Sequence, residues 1–227
     1  MPFNHNLSPS IQQQLSKKTL VPIVGPSSIG KTSVIRAVCE ANPTFHRTVS
    51  FTTRPPREDE EPDTYKFLPN TDAQRREIIK KFEAGELIQF AIHPTTSYMY
   101  GTGINEYSGV YNLLDVLSSE VQEFQAMGFA ACRTVMLVTT PDEWAERFDS
   151  HHFSPEEAHK RIHEGIESLQ WGLDQYGAVR WIENRSGKIA DAVEHVIAIA
   201  HNELHENDAR ARDAGEQLLT YLKSRTT

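Results

Sequence analysis

Gly25-Pro26-Ser27-Ser28-Ile29-Gly30-Lys31-Thr32 decides how this chain is read. It fits the pattern G-x-x-x-x-G-K-[ST]. Just before it, Thr19–Val24 is a short apolar, β-rich run that reads as a buried strand. Just after it, Thr32–Ala41 has helical spacing and stops before Asn42-Pro43. Strand, glycine-rich turn and helix are the context in which this pattern cradles phosphate. Glycines let the backbone wrap close to phosphate oxygens, and the helix N-terminus adds partial positive charge. Lys31 is expected to reach the β- and γ-phosphates, and the Thr32 hydroxyl to ligate Mg²⁺. Gly25, Ser27, Ser28, Ile29, Gly30, Lys31 and Thr32 are therefore expected to bind a nucleoside triphosphate.

Working outward, strands and helices alternate. Arg47–Thr53 reads as a second strand, and Arg54–Asp63 as a loop, because it holds three prolines and five acidic residues. Tyr65–Leu68 and Leu87–His93 read as strands. Thr71–Ala84 is a polar helix, with Thr71 and Gln74 spaced as a capping box and Gly85 at its end. The alternation resumes with strand Val110–Val116, helix Ser118–Met127, strand Cys132–Thr139 and a helix start at Pro141–Phe148. Ser154-Pro155-Glu156-Glu157 is a helix N-terminus: Ser at the cap, Pro at the first position, Glu three residues after the cap. That helix is expected to run to Gln175, before strand Val179–Glu183 and amphipathic helix Ile189–Ala200. Strands separated by helices predict an α/β fold with a doubly wound, mainly parallel sheet. Residues near 54–100 break the alternation and read as an inserted subdomain. Residues 1–18 read as a polar tail with a short helix from Pro9 to Ser16, and residues 202–227 as a charged, solvated helix, tail or oligomer contact.

The 227 residues suffice for one large domain with insertions and a core that needs no disulfides. Hydrophobic residues at 38% and charged residues at 24% exclude global disorder. A net charge of −8 argues against bulk binding of nucleic acid or anionic membrane. No apolar run approaches the ~20 residues of a membrane span. The N-terminal stretch has no apolar signal core. Two cysteines, Cys39 and Cys132, are too few for a disulfide framework and fit a reducing cytoplasm as buried free thiols. Trp144, Trp171 and Trp181 are expected in the core. His159 and His163 have the i, i+4 spacing of a Zn²⁺ pair, but no third ligand accompanies them.

Val49-Ser50-Phe51-Thr52-Thr53-Arg54-Pro55-Pro56-Arg57 follows the second strand, with Tyr65 and Phe67 after it. Two arginines stiffened by prolines suit bidentate phosphate binding at low ordering cost. Tyr65 and Tyr100 could donate hydroxyls to the same phosphate. A solvated basic loop balancing Glu58–Glu61 fits the same residues.

GPSSIGKT, VSFTTRPPR, TYKF, GELIQFA and YGTG occur in the order and approximate spacing seen in guanylate kinases. The resemblance covers about residues 19–200. It implies a P-loop NTPase fold with a CORE over 19–201, a nucleoside monophosphate-binding insert near 50–101 and a LID near 147–166. It implies a transferase of purine nucleotide metabolism that moves the ATP γ-phosphate to GMP or dGMP, with Mg²⁺. By position, Ser50 would contact the base, and Arg54, Arg57, Tyr65 and Tyr100 the acceptor phosphate. Gln89 and Thr102 would line the base pocket. Arg147 and Arg161 match lid arginines, and Lys31, Arg54, Arg147 and Arg161 would form the catalytic set. Asp115 would support Mg²⁺ through water, and Asn184 would join the ATP site.

The chain departs from that family pattern at three places. Gln89 stands where a glutamate is usual, and an amide offers one acceptor where a carboxylate serves both guanine N1–H and its 2-amino group. Leu117 replaces a second base-contacting aspartate, and His151 lies near a lid arginine position in a shorter loop. These departures leave two alternatives: a kinase for a different monophosphate, or a non-catalytic interaction module of the same fold. A third is a P-loop kinase acting on a phosphorylated sugar. The oligomeric state stays open.

Overall fold

A computed structural model describes residues 3–4, 6–56, 63–93, 96–175, 177–203 and 208–226. In chain order the elements are α1 (Pro9–Leu15), β1 (Thr19–Val24), α2 (Lys31–Ala41), β2 (Phe45–Arg47), β3 (Phe51–Thr52), β4 (Lys66–Phe67), α3 (Asp72–Glu83), β5 (Leu87–Ile92), β6 (Met99–Gly103), β7 (Tyr111–Asp115), α4 (Val121–Ala126), β8 (Ala131–Cys132), β9 (Thr134–Val138), α5 (Pro141–Asp149), α6 (Pro155–Asp174), β10 (Val179–Glu183), α7 (Ile189–Ala200) and α8 (Asp208–Ser224).

The main sheet runs β10-β9-β1-β7-β2, with β8 also pairing with β1. Every pairing in it is parallel. All six residues of β1 are buried, as a strand paired on both sides in a helix-covered sheet requires. Helices α2 and α7 pack together, and α6 packs on α8. The expected α/β doubly wound sheet is the observed one. A second sheet, β4-β3-β6-β5, is built from residues 51–103 and has its own small core of Phe51, Ile78, Leu87, Phe90 and Met99. In it, β6 is antiparallel to both β3 and β5.

Local signals placed most ends correctly. Ser154 accepts from the Glu157 N–H, and the Glu157 carboxylate bonds back to the Ser154 N–H, closing the box. Thr71 caps α3 by accepting from the Gln74 N–H. The expected strand Arg47–Thr53 is instead two strands in different sheets, with Thr48–Ser50 as the crossing. The expected helix over 118–127 opens with a 3₁₀ turn at Ser118–Glu120. β6 was not foreseen, because Met99–Gly103 carries two glycines, which strands disfavour.

Both ends of the chain differ from their reading as solvated appendages. Leu7, Ile11 and Leu15 are buried in the main core, so residues 6–18 are no loose tail. Helix α8 buries Ala211, Ala214, Leu218, Leu219 and Leu222, and Gly215 lies against the Trp181 ring. Its charged residues hid this apolar face at the sequence level. Trp144 and Trp181 are core residues, whereas Trp171 is half-buried. Cys39 and Cys132 are free and half-buried rather than buried, and desolvation pushes the Cys132 thiol up to about 12.

Candidate active site

The C-terminal ends of β1, β7, β9 and β10 converge, which is where ligands bind in an open parallel sheet. The loop 25–30 leaves β1 there and feeds α2. Gly30, at the helix N-cap, has φ +93°, and a Cβ added to it would sit 2.5 Å from Asn184 Nδ2. The position therefore demands glycine on two counts. Asn184 follows β10, is buried, and donates through Nδ2 to the Ile29 carbonyl at 2.9 Å. It thus braces the loop from outside the cavity.

The Lys31 ammonium donates to the carbonyls of Gly25 (2.8 Å) and Pro26 (3.1 Å), and lies 3.8 Å from Asp115 Oδ1. Asp115 ends β7 and shows 46% of its side chain to the cleft. Desolvation pushes its carboxyl above the usual value, against the pull of Lys31 and Arg47.

Helix α5 is pinned to the loop. Trp144 Nε1 donates to the Ser27 carbonyl at 2.9 Å. Arg147 donates to the carbonyls of Ile29 (3.3 Å) and Asn184 (3.0 Å), to Ser186 Oγ and to Glu143. Burial pushes the Glu143 carboxyl up, but the Thr139 hydroxyl at 2.6 Å, the Ser186 N–H, and the charges of Arg147 and Arg185 outweigh it, so its pKa lies below normal. From α6, Arg161 donates to Ser27 Oγ at 3.1 Å while its guanidinium lies 4.3 Å over the Phe153 ring. His151 stacks on the same ring from 5.1 Å.

These groups surround a cavity of about 1320 Å³. That exceeds the usual space for one small ligand and suits two nucleotides. Its wall brings together the whole loop from Gly25 to Thr32 with Ser50, Tyr65, Asp115, Arg147 and Arg161. The exposed Leu117 joins them.

Other expected site residues lie outside that wall. Arg54 is buried, with its guanidinium 5.5 Å from the Tyr65 ring and 5.6 Å from Phe67, and one nitrogen donates to the Pro55 carbonyl at 2.8 Å. Tyr100 meets Tyr65 edge-on at 5.9 Å. Gln89 and Thr102 are buried together, the Thr102 hydroxyl donating to Gln89 Oε1 at 3.3 Å. Arg57 falls outside the described residues. Arg47 was missed: it lines the cavity and pairs with Asp63, which also accepts from Arg36. A lone arginine in a predicted strand carries no signal of that role. His159 and His163 are neighbours at 4.5 Å, and among the described residues no group of three or more ligating side chains gathers for a metal.

The comparisons with known proteins fall in line with this geometry. A family model described as guanylate kinase matches residues 16–200. This chain belongs to the guanylate kinase family. Its relatives include guanylate kinase of Thermotoga maritima, 29% identical over 198 residues, covering 82% of this chain and 88% of that one. Guanylate kinase of Nocardia farcinica is 42% identical over 76 residues, covering 33% of this chain and 37% of that one. A crystal structure of guanylate kinase from Anaplasma phagocytophilum superposes with a TM-score of 0.47 at 20% identity, over 83% of this chain and 86% of that one. The loop, Lys31, Arg147 and Arg161 share one cavity with Ser50 and Tyr65, which lie beside the second sheet. Among the described residues no helix is long and apolar enough to cross a membrane.

Proposed function

We propose that this guanylate kinase family member transfers the γ-phosphoryl group of ATP to GMP, or dGMP, releasing ADP and the nucleoside diphosphate. The reading rests on family membership together with one observation. The loop ending at Lys31 and Ser50 and Tyr65, each one residue before a strand of the second sheet, face a single cavity. A phosphoryl group passing between two nucleotides needs both anion sites in one enclosure.

Residues 19–201 then act as the CORE, about 50–101 as the acceptor insert and about 147–166 as the LID. The loop N–H groups hold the ATP phosphates, and Lys31 leaves the Gly25 and Pro26 carbonyls to follow the migrating group. Arg161, already on Ser27, and Arg147, already on Ile29, neutralise charge on the transferring group and exclude water. Arg54, with Arg57, Tyr65 and Tyr100, orients the acceptor phosphate in line. Ser50, Gln89 and Thr102 read the base. With Gln89 Oε1 engaged by Thr102, guanine keeps one good bond there, so acceptor choice rests on the remaining groups as well. The Thr32 hydroxyl and the Asp115 carboxylate are hard oxygen donors at the cleft, and fit Mg²⁺ directly and through water. The ion supplies charge neutralisation at the β- and γ-phosphates. A reducing cytoplasm suits the two free thiols.

A panel of ribo- and deoxyribonucleoside monophosphates with ATP tests this. ADP release is expected with GMP or dGMP, and to vanish with EDTA. Lys31→Ala should cut turnover by about 10²- to 10³-fold with the fold retained. Preference for AMP or UMP, or near wild-type turnover in Lys31→Ala, counts against the proposal.

A further inference from the structure

The family match begins at residue 16, yet the segment before it is built into the molecule. In the second sheet β5 is one of the two outer strands, with β6 on one side. On its other side Phe3 forms an antiparallel bridge with Gln89, and the Asn4 N–H donates to the Ile88 carbonyl at 2.9 Å. Asn4 is itself buried; its Nδ2 donates to the Phe82 carbonyl near the end of α3 (3.0 Å), and its Oδ1 accepts from the Asn6 N–H (3.0 Å). The Ser8 N–H then donates to the Gly85 carbonyl at 3.0 Å. Gly85 has φ +68°, and a Cβ there would stand 2.3 Å from the Asn6 carbonyl oxygen and 2.7 Å from the Ser8 nitrogen. The turn before β5 is therefore shaped to receive this segment.

The same few residues also hold the main body. The Phe3 ring meets Phe124 of α4 edge-on, with centroids 4.7 Å apart and planes at 88°. Leu7 is buried in the main core, and α1 follows with Ile11 and Leu15. A short strap thus pairs with an outer strand of the acceptor sheet at one end and is anchored in the core at the other. Its pairing partner in β5 is Gln89, whose side chain sits beside Thr102 with Nε2 buried and unpartnered. A bound base would have to present an acceptor to satisfy that orphan donor.

We infer that residues 3–4 and 6–8 act as a positioning strap for the acceptor site: they fix the main chain of β5, and through it the Gln89–Thr102 pair, relative to the core. This rests on the assignment of Gln89 and Thr102 to the acceptor base. An edge strand held on one side only is free to shift its register and its side chains with it. The strap closes that edge.

The test uses full-length Asn4→Pro, which deletes the N–H to Ile88, and Phe3→Ala, which removes the contact with Phe124, with Phe3→Leu as the conservative control. Hydrogen exchange across residues 87–92 needs no substrate, and is expected to accelerate in both disruptive variants. The KM for GMP should rise about fivefold, as the loss of one such contact implies, while the KM for ATP stays within about twofold. Phe3→Leu should restore both readouts. Unchanged exchange in β5 overturns the strap. Equal rises in both KM values with a lowered melting temperature overturn it too, by reducing it to general stability. A wild-type enzyme inactive on GMP would instead defeat the proposed function, and the exchange result would still stand alone.

Discussion

Arg161 on α6 donates to the hydroxyl of Ser27 in the loop between β1 and α2 across 3.1 Å, a bond between residues 134 positions apart in the chain. The contact places a delocalised cation at the mouth of the loop before any nucleotide arrives, and the Phe153 ring under it at 4.3 Å limits its rotamers.

Replacing Arg161 by alanine is therefore expected to lower kcat by about 10²-fold with a smaller effect on the KM for ATP, because a preorganised cation acts most on the charge of the transition state. Arg161→Lys should recover only part of this, since an ammonium lacks the planar fork and stacks poorly. Steady-state kinetics of the two variants decides the matter; equal loss in kcat and in ATP affinity would mark a simple binding role.

The Arg54 guanidinium lies beside both the Tyr65 and Phe67 rings while Tyr65 reaches the cavity. Arg54→Ala should raise the KM for the monophosphate about tenfold or more, as expected for a lost charge-assisted contact, and lower kcat, with ATP binding intact. An unchanged acceptor profile would remove Arg54 from the site.

Glu143 has a carboxyl pKa below its ordinary value of 4.5 because Thr139, Ser186 and two arginines together outweigh desolvation. A depressed carboxylate contributes stability that is present above the unfolded-state pKa and is lost as pH falls through the folded-state pKa. Glu143→Gln is accordingly expected to cost about 1 kcal/mol at pH 7, with the gap to wild type closing on acidification below the ordinary carboxylate range. Denaturant melts at several pH values give the answer. A pH-independent gap would mean that Glu143 acts through shape alone.

Much of this was legible from local pattern. Thr19–Val24, Val179–Glu183 and Ile189–Ala200 are strands and a helix with the boundaries their hydrophobic periods imply. The turn between β1 and α2 was legible because Gly25 and Gly30 punctuate the strand and helix patterns on either side. Arg47–Thr53 was not, since a continuous β-rich run holds no sign that its two ends pair with different partners.

What the sequence alone determined is the residue chemistry at two places: a glycine-framed turn ending at Lys31, and two arginines with two prolines between them. What only the tertiary structure decided is which distant groups serve them. Asn184 braces Ile29 from 155 positions away, Arg161 reaches Ser27, and Phe3 pairs with Gln89. Periodicity and capping act within a few residues of each other. Contacts between remote segments depend on how the whole core packs, and no local signal encodes that.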